Sequence, residues 1–472
     1  MSDSKDLTRR DAVKVAGAAA AVAAASKLQA APALRTVKAA NDQVQYGFIG
    51  TGSRGTYLLR HMKGIDNGRC VAVCDVYEPS MKNAAQTIGT NPKQYRDYRE
   101  LLADRNVEAV MIATPLYMHF PATKDALLAG KHVFCEKSLV FKPEEIHELR
   151  ALSNSRPKQI LQVGLQRRYS KFYQAAKAMI DKGMLGQVTH IRGQWHRNTF
   201  AKDPWNKPVP ADRTEKDVNW RKYREFSGGL TAELGSHQID VADWMFGSHF
   251  EYVIGVGGTD YIKDGRDIFD NIQLIYKYPQ GQKLHYSAIT TNRHLPLFEN
   301  ERNEFGEVIM GTQGTIQITV GTDDEPALGL WFREPELPKT QAAAGVKEPP
   351  APAGASLAGT GRGAKGLPIL LDKDTVTGNE SFIEKEMKFA RRWLYSKGVM
   401  VPEEDRNPVD VEMESFLNDC RTGNRPKADL EVGLADSAAV ILSNLAMYEE
   451  RRVFSHEIDK MGQTVDPKAR QV

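Results

Sequence analysis

Apolar positions follow two alternating patterns from Val44 to about residue 165. Short unbroken apolar runs such as "VQYGFI", "RCVAVC", "VEAVMIAT" and "HVFC" are separated by stretches with apolar residues at helical spacing, such as "TYLLRHM" and "PEEIHELRALSN". Unbroken runs are typical of strands buried on both faces, and helical spacing is typical of helices with one buried face. Strands that alternate with helices predict a parallel, doubly wound sheet over residues 41–165.

The pattern changes near Arg167. The segments "QVTHIRGQWHRN", "YVIGVGGTDYI", "NIQLIYKYP", "QKLHYSAITTN" and "GTIQITV" are longer and alternate between apolar and polar residues. Such alternation is typical of an open, mainly antiparallel sheet with one solvated or ligand-facing side. The expected fold class is therefore α/β, with a second α/β domain over residues 166–455 that carries this large open sheet and two terminal helices.

Three segments stand apart from this pattern. Residues 338–368 are rich in Ala, Gly and Pro without periodicity, which predicts a flexible insertion, and residues 456–472 are expected to form a tail. Within residues 1–40, Arg9 and Arg10 precede a mildly apolar run and then small residues, the pattern of twin-arginine export signals. The alternative, an amphipathic helix, would have no polar face between Val15 and Ala25. We expect a periplasmic or otherwise exported protein.

Composition excludes some partners and leaves the globular class open. The 472 residues are 41% hydrophobic and 26% charged, and 63 Lys+Arg against 60 Asp+Glu give a formal net charge of +3. That balance gives no reason to expect nucleic acid as a partner. No apolar run outside the N-terminus approaches the length expected of a bilayer span, so no membrane span is expected in the mature chain. The four cysteines lack zinc-ligand spacing and are interpreted as buried thiols.

A glycine motif follows the first strand at once. Gly50-Thr51-Gly52-Ser53-Arg54-Gly55 fits G-x-G-x-x-G at the start of a helix, and Asp75 closes the second strand twenty residues after Gly55. The glycines allow a tight turn and a close approach to a pyrophosphate, and the acid binds ribose hydroxyls. The spacing favours NAD over NADP, because Asp75 would repel a 2′-phosphate that Arg54 could only partly offset. The alternative is a glycine turn with an unrelated acid.

Polar residues also follow two further strands of the predicted parallel sheet. Thr114, Pro115 and His119 follow "VMIA", and Glu136 and Lys137 follow "HVFC". Ligands bind at this edge of doubly wound sheets. A carboxylate and an amine at the mouth of an apolar strand cost free energy unless something there uses them. The alternatives are a helix-capping or surface histidine and a structural ion pair at a domain hinge.

The segment "GGLTAELGSHQIDVADWMFG" predicts a helix from about residue 231 to 245. Glu233, His237 and Asp240 would form one stripe along it, lining a cleft rather than a solvated face. A metal site would need a third ligand that the sequence does not show, so no metal is expected. Ring faces and hydrogen-bond donors suited to polyols and sugars come from "LQRRYS" and "QWHRN". The expected substrate-binding residues are Arg168, Tyr169, Trp195, His196, Arg197 and Asp240.

Together, the glycine motif, the "TP…H" turn, "GKHVFCEKS" and "GSHQIDVADWMFG" resemble the glucose–fructose oxidoreductase/inositol dehydrogenase/MocA family over about residues 44–320. The resemblance implies a Rossmann domain, then an α/β domain whose open sheet carries the substrate site, and a homo-oligomer built through those sheets. Three positions depart from the family pattern. Ser138 replaces the proline after the Glu-Lys pair, Glu233 replaces an aspartate, and Leu116 replaces the asparagine frequent after "TP".

The resemblance implies catalytic roles for three residues. Lys137 would stabilise a developing alkoxide, His237 would take the hydroxyl proton as hydride passes to nicotinamide, and Glu233 would orient His237. The residues expected to bind the cofactor are Gly50, Gly52, Ser53, Arg54, Gly55, Asp75, Thr114, Pro115, His119, Glu136 and Lys137. The function expected is an NAD(P)-dependent oxidoreductase that acts on a hydroxyl of a sugar, polyol or derivative and holds its cofactor tightly.

Two other functions stay open at this point. The first is a glycosidase that oxidises a sugar, eliminates the glycosidic bond and reduces the product, so that its NAD is unchanged overall. Export favours this function because free NAD is scarce outside the cytoplasm, but "ELGSHQID" lacks the "GHGG" helix start of the N-acetylgalactosaminidase branch. The second is a non-catalytic sugar-binding protein of the same fold, against which the presence of Lys137 and His237 counts.

Overall fold

The computed structural model describes residues 43–199, 203–292, 305–319, 328–334, 367–368 and 406–461. The expectations for the export signal over 1–40, for residues 338–366 of the insertion and for residues 462–472 of the tail lie outside these residues. The domain boundaries expected at residues 165 and 455 stay predictions, because the chain from Val44 onward forms one compact unit.

A parallel sheet of six strands forms the first half of the protein. Its strands are, in chain order, β1 (Val44–Ile49), β2 (Gly68–Cys74), β3 (Lys93–Tyr95), β4 (Ala109–Ile112), β5 (His132–Glu136) and β6 (Leu161–Gly164). Their spatial order is β3-β2-β1-β4-β5-β6, and every pairing is parallel. The strand order reverses between β1 and β4, which is where ligands bind in doubly wound sheets. The predicted doubly wound sheet is confirmed.

Helices connect these strands and lead into the second half. They are α1 (Ser53–Met62), α2 (Glu78–Ile88), α3 (Tyr98–Ala103), α4 (His119–Leu128), α5 (Pro143–Asn154) and α6 (Lys171–Asp181). Side-chain hydrogen bonds to backbone N–H groups cap the N-termini of two of these helices. Asp97 accepts the Arg99 N–H at 2.9 Å before α3, and Glu145 accepts the N–H groups of Phe141 and Lys142 at 2.8 and 2.9 Å at the start of α5.

A sheet of nine strands forms the second half. Its strands are β7 (Val188–His196), β8 (Tyr252–Gly258), β9 (Asn271–Lys277), β10 (Lys283–Ile289), β11 (Phe305–Gly311), β12 (Gly314–Thr319), β13 (Leu328–Arg333), β14 (Leu367–Pro368) and β15 (Val453–Phe454). Their spatial order is β14-β13-β12-β11-β7-β10-β9-β8-β15. Only the β7–β10 pairing is parallel among the described strands. The predicted open, mainly antiparallel sheet is confirmed.

One helix lies close against the inner face of this sheet. After α7 (Glu215–Val218), a π-helical turn over Thr231–Gly235 leads into α8 (Ser236–Phe246). Two glycines allow the close approach. A Cβ on Gly193 of β7 would lie 3.0 Å from the Gln238 side chain, and a Cβ on Gly235 would lie 2.9 Å from the Tyr286 ring. The expectation of one regular helix from residue 231 is corrected, because its first turn is wider than an α-helical turn.

The C-terminal helices connect the two sheets. They are α9 (Pro408–Thr422), α10 (Leu430–Tyr448) and α11 (Glu457–Met461). Met413 and Phe416 of α9 lie in one buried apolar cluster with Tyr46 and Phe48 of β1, so α9 covers a face of the first sheet. By length and hydropathy α10 could cross a membrane, which the sequence analysis overlooked, but most of that helix is buried inside the protein.

Candidate active site

Of the three motif glycines in the turn, one has space for a side chain and two do not. Gly50 has φ +88°, and a Cβ there would lie 2.7 Å from the backbone of Ala113 and Thr114. A Cβ on Gly55 would lie 2.1 Å from the Gly50 carbonyl oxygen, so α1 packs directly on the turn. A Cβ on Gly52 would meet no atom of the described residues within 4 Å. Gly50 and Gly55 are therefore needed by the fold, and Gly52 leaves space beside the N-terminus of α1, as a phosphate site requires.

Asp75 is held rigidly at the end of β2. One carboxylate oxygen accepts the Thr51 N–H at 2.8 Å and the Thr51 hydroxyl at 3.2 Å, and the other accepts the Tyr77 N–H at 2.9 Å. A carboxylate has about four acceptor sites, so these three bonds leave capacity for a ligand hydroxyl. The carboxylate thus lies beside the glycine turn, as the sequence predicts, with its orientation fixed.

Arg54 is committed to a protein carboxylate. Its Nε donates to Glu136 at 2.7 Å, and its guanidinium lies 5.1 Å from the centre of the Tyr57 ring. Glu136 is buried at the end of β5, so this ion pair joins α1 to β5. A buried carboxylate needs such a partner. Glu136 and Arg54 therefore hold the sheet edge together, and Arg54 has less freedom to offset Asp75 than the sequence suggested.

His119 joins the ends of β4 and β5. Its Nδ1 lies 2.7 Å from the Ser138 carbonyl oxygen and its Nε2 lies 3.0 Å from the Thr114 carbonyl oxygen. The ring is buried, and burial lowers its pKa. The peptide bond between Lys137 and Ser138 is cis. His119 is a positioning residue, because it joins the backbone that follows β4 to the backbone that follows β5.

Lys137 joins β5 to the turn before α8. Its Nζ donates to the carbonyl oxygens of Ala232 at 2.7 Å and Glu233 at 2.6 Å. An ammonium has three donors, so one N–H is left for a ligand. Burial lowers the pKa of the Lys137 ammonium, and the nearby charges of Glu233, Glu136 and Asp436 offset only part of that shift. Lys137 therefore presents a desolvated donor where the two sheets meet.

Asp436 of α10 lies behind this group, and the sequence analysis did not select it. The Ser236 hydroxyl donates to one of its carboxylate oxygens, and the carboxyl group is buried. Burial raises the pKa of Asp436 to about 7, with the charge of Asp240 adding to that shift and Lys137 opposing it. No local motif marks Asp436, because the helix that carries it is distant along the chain.

Glu233 forms an ion pair with Arg221. Its carboxylate accepts the Nε–H of Arg221 at 2.7 Å. Burial raises the pKa of Glu233, but the charges of Arg221 and Lys137 outweigh burial and hold the pKa below its usual range. Glu233 is therefore ionised in the cleft. Arg221 was not selected from the sequence, although it follows Trp220 in the polar segment just before "SGGL".

His237 is a buried polar side chain of α8 that carries no charge. Its ring is buried and stacks on Trp195 with a centroid distance of 6.1 Å. Burial, followed by the charges of Lys137, Arg167 and Arg54, lowers its pKa well below 6.5. Among the described residues, its Nδ1 has no hydrogen-bond partner, and neither has the nearby indole N–H of Trp195. Unpartnered buried polar atoms cost free energy, which favours a polar ligand here.

An aromatic and cationic wall stands beside His237. Trp195 stacks on Phe305 at 4.6 Å, and the Arg197 guanidinium lies 5.2 Å from its ring. Arg167 is buried in an ion pair with Glu307 and lies 5.9 Å from the same ring. Trp195 and Arg197, which the sequence analysis selected for substrate binding, thus belong to this wall, and Arg167, Phe305 and Glu307 were not selected. The neighbouring Arg168 was selected instead of Arg167.

Four predicted substrate residues lie away from this wall. Arg168 and Asp240 form a bidentate ion pair at 2.7–3.0 Å, and Tyr169 is buried in the core. His196 donates to or accepts from the Ser287 hydroxyl at 2.8 Å, on the opposite face of the sheet from its neighbour Trp195. The charged groups of Arg168 and Asp240 are thus used within the protein, and a role of these four residues in substrate binding stays a prediction. The three residues of the expected stripe contact different partners. Glu233 pairs with Arg221, His237 stacks on Trp195, and Asp240 pairs with Arg168.

A glycine turn at the edge of the parallel sheet, with Lys137 after β5 bonded to the turn that leads into the His237 helix, is typical of a nicotinamide-dependent oxidoreductase. Residues 44–165 match the family model "Oxidoreductase family, NAD-binding Rossmann fold", and residues 173–317 match the "GFO/IDH/MocA C-terminal domain". These matches span more than half of the chain. The protein belongs to the Gfo/Idh/MocA oxidoreductase family, which confirms the resemblance seen in the sequence.

Curated relatives include inositol dehydrogenases. The inositol 2-dehydrogenase of Salmonella typhimurium is 29% identical over 208 residues, 44% of this chain and 56% of that protein, so the match spans little more than half of that relative. The myo-inositol 2-dehydrogenase of Thermotoga maritima is 28% identical over 276 residues, 58% of this chain and 74% of that protein. A solved levoglucosan dehydrogenase in complex with NADH and levoglucosan has a TM-score of 0.62 at 19% identity, covering 88% of this chain and 99% of that one, which shows the same fold.

The glycine turn gives a prediction that separates ligand binding from folding. Gly52→Ala is expected to leave the free energy of unfolding nearly unchanged and to weaken NADH binding about tenfold or more, because its methyl group would occupy space open to a diphosphate. Gly55→Ala is expected to lower the free energy of unfolding by about 1–3 kcal/mol, since its methyl group would overlap the Gly50 carbonyl. Urea unfolding and fluorescence titration with NADH measure the two effects. Equal NADH affinity in Gly52→Ala and wild type would contradict the cofactor site.

Proposed function

We propose that the protein transfers hydride between NAD and a hydroxyl-bearing carbon of a sugar, polyol or derivative. The observation that carries this proposal is the junction of Lys137 and His237. Lys137 ends a strand of the dinucleotide-binding sheet and bonds to the turn that opens α8, and the buried His237 follows on α8. The open position at Gly52 and the fixed carboxylate of Asp75 fit a dinucleotide along the same edge.

Bound nicotinamide would accept or return the hydride, and the residues of the chain would control the oxygen and its proton. The free N–H of Lys137 donates to the substrate oxygen and stabilises its developing negative charge in a site shielded from water. The imidazole of His237 is uncharged, so it can take up the hydroxyl proton. Glu233 holds the turn between them through Arg221. Trp195 supplies a ring face for the substrate carbons.

We further propose that NAD is preferred to NADP and is held tightly in an exported enzyme. The position of Asp75 beside Thr51 supports the first point, because a carboxylate there repels a 2′-phosphate. The pairing of Arg54 with Glu136 leaves it less able to offset that repulsion. The Arg9-Arg10 pattern supports export, and export of folded protein is compatible with a captive cofactor.

The test starts with the nucleotide and then moves to the substrate. Protein purified without added cofactor is denatured, and any released nucleotide and its redox state are identified by mass spectrometry. The protein is then screened with NAD and a panel of inositols, aldoses and anhydrosugars for NADH formation. A protein that neither carries nor binds NAD or NADP would overturn the oxidoreductase proposal. Cleavage of a glycoside without net NADH formation would instead establish the cofactor-retaining glycosidase, which the export pattern favours as the second candidate.

The outer face of the second sheet supports a homo-oligomer. Ile254 and Ile275 are paired on β8 and β9 and are 39% and 41% exposed, and Val256 is 74% exposed. A contiguous exposed apolar patch is typical of an interaction surface. We expect Ile254→Lys combined with Ile275→Lys to lower the oligomeric state in sedimentation velocity. Leu128→Lys, at a comparably exposed apolar position on α4, is the control and should leave it unchanged. A wild-type monomer would contradict this prediction.

A further inference from the structure

A segment of the second half crosses to the edge of the first sheet. Residues 203–227 lie between β7 and the π-helical turn, yet two of their side chains pack on the turn after β4. The Phe226 ring lies 5.0 Å from the Tyr117 ring, and Trp220 packs on the small apolar cluster that contains Leu116. We name residues 203–227 the crossing segment. It covers the edge of the sheet at which ligands bind.

The crossing segment has a fixed internal framework. The side chain of Asn219 accepts the Lys207 N–H at 2.7 Å and donates to the Lys207 carbonyl at 2.9 Å. Lys222 is buried and donates to Glu215 at 2.8 Å. Thr214 caps α7, which stiffens the turn beside it. These bonds hold the residues between them, including Arg213, in a defined place.

Arg213 of the crossing segment lies close to a residue at the end of β2, beside the glycine turn. Its guanidinium lies 5.4 Å from the centre of the Tyr77 ring, and Tyr77 follows Asp75 at the end of β2. Tyr117 follows β4, on the other side of β1. Burial raises the pKa of the Tyr117 phenol, and the charges of Asp217 and Arg213 act on it in opposite directions. In the sheet order β1 lies between β2 and β4. The contact with Tyr77 thus places the guanidinium after the end of β2, the strand beside β1, whose end carries the glycine turn that opens α1.

The guanidinium is available for an anion. Among the described residues its ion pair is to Asp217, with Nε and Oδ2 4.0 Å apart, which is beyond hydrogen-bond distance. The side chain is 21% exposed, so it is partly shielded from water. The first turn of α1, on the facing side, holds no acidic residue. An arginine fork binds phosphate oxygens with two parallel hydrogen bonds, which a lysine does not reproduce.

We propose that Arg213 closes over the diphosphate of the bound dinucleotide, so that the diphosphate lies between the N-terminus of α1 and a guanidinium from the second half of the chain. The inference rests on the proposed function, since it requires that the chain binds a nicotinamide dinucleotide. It adds a contact outside the Rossmann sheet that slows release of the cofactor. The crossing segment would then have to move before the cofactor leaves, which accounts for the tight binding expected of an exported enzyme.

The test compares two charge-removing variants in the same segment. In Arg213→Gln the rate of NADH release, followed by stopped-flow fluorescence, is expected to rise about tenfold or more. Lys216→Gln is the matched control, because the Lys216 ammonium pairs with Glu225 and lies over the rings of Tyr223 and Phe226. Its release rate should stay within about twofold of the wild-type rate. Arg213→Lys keeps the charge without the fork, so its rate should fall between those of Arg213→Gln and the wild type.

A ligand comparison identifies the group that Arg213 contacts. Arg213→Gln should weaken ADP-ribose by the same factor as NADH and leave adenosine unchanged, since adenosine has no diphosphate. Equal weakening of adenosine would overturn the proposal and assign Arg213 to the nucleoside, and a release rate equal to that of Lys216→Gln would also overturn it. Wild-type protein that binds no dinucleotide would overturn the proposed function itself. Thermal unfolding of each variant separates these results from loss of the fold.

Discussion

Lys137→Ala is expected to lower kcat by about a thousandfold or more while leaving NADH affinity within about threefold of the wild-type value. The ammonium supplies the only N–H that we assign to the reacting oxygen, and it acts in a desolvated site where its charge counts most. Its effect is largest when the substrate oxygen carries negative charge, so its loss lowers kcat more than it raises KM. Steady-state kinetics with NAD and the substrate found in the screen measure both constants.

The same strand offers a matched control for this variant. Lys131 precedes β5 at its opposite end, and its Nζ donates to the carbonyl oxygens of Asp104 at 3.0 Å and Val107 at 2.7 Å. Lys131→Ala therefore removes two hydrogen bonds of the same kind, far from the cleft. We expect it to lower thermal stability and to leave kcat unchanged. If Lys131→Ala and Lys137→Ala lost activity equally, or if Lys137→Ala kept most of its activity, Lys137 would be a structural residue at the domain junction.

The first sheet and its glycine turn were predictable because their signals are local. The Gly50–Gly55 motif, the strand before it and Asp75 after the next strand lie within one short stretch, and the turn geometry follows from the glycines. The partners of Lys137 are different, since Ala232 and Glu233 lie far along the chain. Only the family resemblance brought Lys137 and His237 together at the sequence level, because no periodicity links residues so far apart.

The structure separates several residues that the sequence analysis placed together in the substrate site, and the separation has physical reasons. Trp195 and His196 were both selected, but adjacent strand residues point to opposite faces, and only Trp195 stacks on His237. Arg168 was selected as a hydrogen-bond donor, but its guanidinium donates to Asp240. The choice between Arg167 and Arg168 depends on how a short 3₁₀ turn is oriented, which the residue pattern does not encode.

His237→Asn is expected to lower kcat/KM for alcohol oxidation by about a hundredfold to ten-thousandfold, with NADH affinity retained. The asparagine can still form a hydrogen bond but cannot take up the proton. In the wild-type protein burial and the charges of Lys137 and Arg167 hold the pKa of His237 well below 6.5. The imidazole is then unprotonated at and above neutral pH, so the pH profile should show no step from His237 near pH 6.5. A step there that His237→Asn abolishes would contradict the lowered pKa.

His196→Asn is the matched control for His237→Asn, because both histidines are expected to affect the pH dependence of stability in the same way. His196 is also buried, and burial lowers its pKa to about 4, but it faces away from Trp195 and the cleft. Below about pH 6.5 both histidines are protonated in the unfolded chain but stay unprotonated in the folded protein, because their pKa values are lowered there. The free energy of unfolding therefore decreases as the pH falls through this range. Both variants should therefore lose less stability than the wild type between pH 6.5 and 5. Only His237→Asn should also lose activity, because only that ring lies where the substrate proton must go.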